Sequence, residues 1–259
     1  MSPISSRLRL AGVASLAFIG ACFAVPANAE FSAAQKGEVE KIIKDYLLSH
    51  PDVLRDALAE MERRQKLDEV VAREKAVTDQ SAIILNSEYQ VVLGNPNGKI
   101  TLVEFFDYNC GYCKRAMDDM AKMMKADPDL RIVLKDFPVL GPGSVEAAQV
   151  ASAVRNQFKG EKFWDYHQKL LGTRGQIGKA QAMNVARDLG ADMARLEKDL
   201  SAPAIKAGID EVMRVADSLN LTGTPSYVLG TDVIVGAVGY QELQGKLDNM
   251  KKCGKSVCS

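Results

Sequence analysis

The sequence predicts a mixed α/β domain carrying a helical insertion, with a helical segment ahead of it. Three observations support this. The apolar run Ile100-Thr101-Leu102-Val103-Glu104-Phe105-Phe106 reads as a buried strand, and it leads into Cys110-Gly111-Tyr112-Cys113 at the start of a helical pattern. Further β-rich runs, Leu130–Asp136 and the pair Ser226–Leu229 and Asp232–Val235, lie on either side of residues 144–220, where the apolar spacing is helical. Residues 31–87 are helical in pattern, with no strand-like alternation.

Taken in order, the chain opens with Arg7, Arg9, an apolar stretch over 10–25 and Ala27-Asn28-Ala29 before Glu30. That is the layout of an export signal spanning 1–29. The stretch falls short of the roughly 20 apolar residues of a spanning helix. A rival reading takes Ile19-Gly20-Ala21-Cys22 as a lipoprotein box, with Cys22 lipidated. Residues 30–88 form the helical segment. Val39, Ile42, Ile43, Tyr46 and Leu47 make an apolar stripe, and Ser49-His50-Pro51 breaks and restarts the helix. Leu47, Leu54 and Met61 recur every seven residues. Such a segment either packs as two helices on the following domain or forms an oligomerisation stalk. The charged, thinly striped stretch 62–80 favours the stalk.

Residues 89–259 form the second domain. A turn at Asn95-Pro96-Asn97-Gly98 separates a short strand over 90–93 from the strand over 99–107. A helix from Gly111 ends before Asp127-Pro128. After Leu130–Asp136, helices are predicted over 145–158, 163–171, 179–189, 193–200 and 202–219. A hairpin around Gly230-Thr231 and a helix over 240–251 complete the domain.

The whole chain has 33 basic and 33 acidic residues, and removing 1–29 takes away two arginines. No basic patch argues for nucleic acid, and no second apolar stretch argues for a membrane span. Without Cys22, four cysteines remain of five, an even number that suits an oxidising compartment such as the periplasm.

A strand that ends in C-x-x-C and opens a helix is the setting of thiol–disulfide exchange. Unpaired N–H groups and the dipole at the helix start favour a Cys110 thiolate, and Cys113 sits one turn on, placed to resolve a mixed disulfide. Structural zinc would need a second ligand pair at suitable spacing. Cys253 and Cys258 are far off in a C-x4-C spacing, and His50 and His167 form no pattern with them. For Cys253 and Cys258 the readings are a small disulfide pinning the C-terminus, a second exchange pair, or a soft-metal site. His167 reads as a packing residue. Met117, Met120, Met123 and Met124 read mostly as core. Glu104 is a charge in an apolar strand, costly unless paired or protonated. Beneath the C-x-x-C it would exchange a proton with Cys113, and Lys135 on the next strand would pair with it; the alternatives are a solvent-facing edge residue for Glu104 and a solvated strand lysine for Lys135.

The run Glu104 to Cys113 followed far downstream by Gly223-Thr224-Pro225 resembles the DsbA family of thioredoxin-fold proteins. Lys135-Asp136-Phe137-Pro138-Val139-Leu140-Gly141-Pro142 and Phe163-Trp164-Asp165-Tyr166-His167 carry the same resemblance. The long helical N-terminus is similar to the oligomeric ScsC branch. The resemblance implies a thioredoxin fold, an acid at Glu104 and a cis Thr224–Pro225 bond that leaves the Thr224 backbone free to pair with an extended substrate. Gly111 and Tyr112, together with Thr224, resemble the isomerase DsbC rather than the family's oxidase. Tyr112 lacks a titratable imidazole, so a less stabilised thiolate is expected than in the oxidase. The implied function is an exported protein disulfide isomerase, with oxidase or reductase as the alternative. It would need no cofactor beyond its redox-active disulfide. Its partners would be misfolded exported proteins, a membrane thiol reductant or oxidant, and further copies of itself. Cu(I) binding by Cys110 and Cys113 is a rival from another class.

Overall fold

The computed structural model describes residues 31–258. The export-signal and Cys22 readings lie outside the described residues. Backbone packing divides the chain into two compact units, one ending at Glu60 and one beginning at Met61.

In the first unit, α1 (Ala33–Ser49) starts at Ser32, whose hydroxyl accepts from Gln35 N while the Gln35 side chain accepts from Ser32 N. This reciprocal cap satisfies two otherwise orphan donors. No residue of α1 is buried; Ile42, Ile43 and Tyr46 are exposed. Pro51 opens α2 (Pro51–Asp79), where its missing N–H costs nothing. Leu54 and Leu58 continue the exposed apolar stripe.

In the second unit, α2 ends at Asp79, and the helical pattern breaks again at Gln80 before α3 (Ser81–Asn86). The sheet has five strands: β1 (Val91–Gly94), β2 (Ile100–Phe106), β3 (Leu130–Asp136), β4 (Ser226–Leu229) and β5 (Asp232–Val235). Their order is β1-β3-β2-β4-β5. Only β2 and β3 are parallel, joined by the crossover helix α4 (Gly111–Ala126). The insertion supplies α5 (Pro142–Val154), α6 (Glu161–Leu171), α7 (Lys179–Asp188), α8 (Met193–Leu200) and α9 (Pro203–Ser218), and α10 (Tyr240–Cys253) closes the domain. The first insertion helix starts three residues earlier than its apolar pattern suggests. Gly141, at φ 105°, turns the chain and Pro142 fits the first helical turn. α10 runs two residues further than expected, to a left-handed Gly254 cap.

Side chains alternate across the sheet. Leu102, Phe106, Ile132, Leu134 and Leu229 join a core with Met120 and Met123 of α4 and the insertion helices. Val103, Phe105, Val133 and Val228 pack instead with Ile84 of α3 and Val212 and Val215 of α9. Buried apolar faces on both sides make the sheet the rigid floor from which α4 and its first turn project. Among the described residues no helix is long and apolar enough to cross a membrane.

Candidate active site

β2 delivers its last residues to a four-residue turn that ends at Cys110. Asp107 organises that turn. It is buried, and its carboxylate accepts from Asn109 N at 2.8 Å, Val139 N at 2.9 Å, Leu140 N at 3.0 Å and Ser144 Oγ at 2.7 Å. One side chain therefore ties the approach to the cysteines to the loop after β3 and the start of α5. Asn109 adds a second tie: its amide donates to Ile177 O at 2.8 Å and accepts from Ile177 N at 2.7 Å. Sequence reasoning missed Asp107, Asn109 and Ser144 as positioning residues. The available signal was the Asp-x-Asn pattern, residue types that bond their own backbone in turns.

Cys110 is the N-cap of α4, in extended conformation, and its carbonyl accepts from Lys114 N at 3.1 Å. Both cysteines of the motif are free and buried; Cys110 keeps 5 % exposure and Cys113 1 %. Their environments differ. The Cys113 thiol hydrogen-bonds Cys110, and with Thr224 and the backbone N–H groups of Cys113 and Tyr112 it outweighs burial, lowering the Cys110 pKa to about 5. The same bond, burial and the nearby Glu104 push the Cys113 thiol far up. One sulfur is thus an anion at neutral pH and its neighbour holds the proton. We predict that thiolate absorbance of the reduced protein titrates near pH 5 for one cysteine. Two transitions near the ordinary thiol value of about 8.5 would contradict it.

The Thr224–Pro225 peptide bond is cis. It brings Thr224 O to 3.2 Å from Cys110 Sγ, a bond that the protonated thiol donates. Gly236 N donates to Pro225 O at 2.8 Å, and Ser226 Oγ to Gly223 O at 2.7 Å, fixing the segment at the start of β4. Glu104 lies on the α4 face of the sheet, 3 % exposed and opposite Tyr227 in the β2–β4 register. Burial first, and the Cys110 charge second, raise its pKa to about 8. The structure thus gathers Cys110, Cys113, Glu104, Thr224 and Pro225 in one place.

Lys135 is not among them. In the β2–β3 register Glu104 pairs with Leu134, whereas Lys135 pairs with Phe105 and faces the opposite side of the sheet. The expected Glu104–Lys135 pair is corrected accordingly. Lys135 is buried, and its ammonium donates to Ile83 O at 2.7 Å. Arg131 donates to Leu85 O at 2.8 Å, so two β3 cations serve the carbonyls of α3. Burial lowers the Lys135 pKa to about 8.

Gly111 has open space around it, and Tyr112 is 58 % exposed beside the sulfurs. His167 is buried with Phe106 and Trp164, its Nδ1 3.4 Å from the Tyr108 hydroxyl; burial lowers its pKa to about 3, so it packs as neutral imidazole. Cys253 and Cys258 form a disulfide. It joins the last residue of α10 to the tail beyond it, near Lys251, which pairs with Asp127 at the far end of α4 from Cys110. Among the described residues no group of three or more His, Cys, Asp or Glu is placed to hold a metal ion.

Comparison with known proteins agrees with this geometry. The family described as DSBA-like thioredoxin domain matches residues 101–248, and the one described as copper resistance protein ScsC N-terminal domain matches residues 35–66. The fold is the thioredoxin fold with a helical insertion and N-terminal helices. A thioredoxin-like oxidoreductase from Silicibacter pomeroyi DSS-3 is 38% identical, with 66% of this chain and 98% of that one covered and a TM-score of 0.62. Proteus mirabilis ScsC in a transitional conformation is 27% identical, with 83% and 95% covered and a TM-score of 0.61. Among curated relatives, the Na(+)/H(+) antiporter NhaA 1 of Salinispora arenicola is 28% identical over 138 residues, which are 52% of this chain. The chain spans only 21% of that relative's length.

Proposed function

We propose, from the premise that this chain belongs to the DSBA-like thioredoxin domain family, that it is an exported thiol–disulfide interchange protein of the ScsC type, acting as a disulfide isomerase on misfolded periplasmic proteins. The observation that carries this reading is the asymmetric pair beside a cis Thr224–Pro225 bond: a stabilised Cys110 thiolate and a Cys113 that keeps its proton.

The Cys110 thiolate attacks one sulfur of a client disulfide. A Cys110–client bond forms, the client S–S bond breaks and the second client sulfur leaves as a thiolate. In isomerisation another client thiolate attacks the client sulfur and frees Cys110, with no net redox change. In reduction Cys113 attacks Cys110 Sγ and expels the reduced client. The Thr224 backbone would hold the client segment like an added strand. Glu104, protonated in the resting dithiol, first gives its own proton to water and then receives the Cys113 proton. Once Cys110 is bonded to the client its charge is gone, so one of the two causes that raise the Glu104 pKa is removed at the moment a base is needed.

The exposed apolar stripe of α1 and early α2 supports self-association, which would set several active sites around one client. A membrane thiol reductant would restore the dithiol. The test is reactivation of scrambled ribonuclease by the mature chain, with Cys110→Ser as control. Reactivation lost in the control is expected. Oxidation or reduction of clients without reactivation would replace isomerase by oxidase or reductase. Absence of all exchange, with Cu(I) held by Cys110 and Cys113, would favour copper handling.

A further inference from the structure

We infer that the reactive face selects client segments carrying an aspartate or glutamate beside the reacting cysteine. This rests on the interchange reading above and names its substrate class. Five stretches, 107–113, 137–145, 172–178, 220–226 and 236–240, ring the dithiol. They are tethered to one another: Asp107 accepts from Val139 and Leu140, Asn109 bonds Ile177, and Gly236 N bonds Pro225 O. Their only charged residues are Asp107 and Arg174. Asp107 is buried and taken up by four donors. Arg174 is exposed, next to Thr173, whose carbonyl accepts from Lys114 Nζ at 2.7 Å.

The start of α4 adds Lys114 and Arg115. The Arg115 guanidinium sits 4.4 Å from the centre of the exposed Tyr112 ring, which holds it beside the sulfurs. Among the described residues neither Arg115 nor Arg174 is held in an ion pair. The acids facing this region are few. Asp118 is exposed further along α4, Asp119 lies 3.5 Å from Lys122, Glu146 just beyond the 137–145 stretch is taken up by Lys179 N at 3.1 Å, and Glu104 is buried and protonated near neutral pH. The rim therefore presents two fork-shaped cations outside any ion pair, Arg115 and Arg174, with Lys114 bonded to the Thr173 carbonyl and Glu146 at its edge bonded to Lys179 N. A guanidinium of that kind pairs a carboxylate through two parallel N–H bonds, which aligns a client as well as attracting it. The apolar Val139 and Leu140, exposed on the loop that Asp107 holds, leave no acid to repel such a segment.

The test uses three disulfide-bonded peptides, identical except for Asp, Ser or Lys flanking the cysteine, and follows their reduction by the reduced full chain in stopped flow. At low salt the Asp peptide should react about fivefold faster than the Ser peptide and the Lys peptide correspondingly slower, the factor an exposed ion pair is worth. The spread should shrink in about 0.5 M salt. In the double variant Arg115→Gln, Arg174→Gln the Asp-to-Lys ratio should approach one. Equal rates for the three peptides, or a ratio that survives the double variant, overturn the inference while leaving interchange intact. A Ser peptide that does not react at all refutes the interchange reading itself, and the selectivity with it.

Discussion

Glu104→Gln is expected to stabilise the reduced protein by about 3 kcal/mol at pH 7 while slowing resolution of the mixed disulfide about tenfold or more. Both effects follow from one buried carboxyl. Its pKa is raised from 4.5 to about 8, chiefly by burial. A carboxyl raised in the folded state binds its proton more tightly there than in the unfolded chain. Its contribution is therefore whole below about pH 4.5 and is lost as pH rises toward 8. Glutamine has the same shape and no proton to lose, so the variant's advantage should be close to nil at pH 4 and grow with pH. Equilibrium unfolding in urea at several pH values reads this directly. A difference between variant and wild type that is flat across pH would contradict it. The slower resolution follows because Cys113, whose thiol is held far above its ordinary pKa, loses the carboxyl that takes its proton.

Asp107→Ala is expected to cost about 4 kcal/mol and to lower exchange activity at least about tenfold. The carboxylate accepts from three backbone N–H groups and one hydroxyl across three segments of chain. Removing it leaves buried donors without acceptors, each costing about 1–3 kcal/mol when not rehydrated. Asp107→Asn should recover only part of the loss, because its NH2 would face N–H donors. The activity falls because Cys110 N bonds Asp107 O at 3.0 Å, so the turn that aims the thiol moves with the network. Unfolding and peptide-disulfide kinetics check both halves. A variant within about 0.5 kcal/mol of wild type would show that the network is dispensable.

The sequence disclosed most where chemistry is local. Cys110 and Cys113 lie three residues apart on one helical turn, and a strand rich in apolar residues pointed the turn at them. Glu104 stood out as a charge in that strand. What stayed hidden depends on register and on distant partners. Whether Lys135 meets Glu104 is decided by a one-residue offset between β2 and β3, and strand alternation places a neighbour on either face. The Asp107 network joins residues 32 to 37 positions apart, and nothing periodic marks it. The break at Gln80 has no proline or glycine to announce it; α3 turns away there to cover the sheet, where Ile84 is buried and its carbonyls meet Lys135 and Arg131.

The central claim is that Cys110 attacks and Cys113 resolves. It is tested most directly by incubating the reduced Cys113→Ser variant with scrambled ribonuclease and resolving the products without reductant. The account predicts a covalent complex that accumulates through Cys110, disappears on adding dithiothreitol and is absent from Cys110→Ser. A complex formed equally by Cys110→Ser, or none from Cys113→Ser, would contradict it.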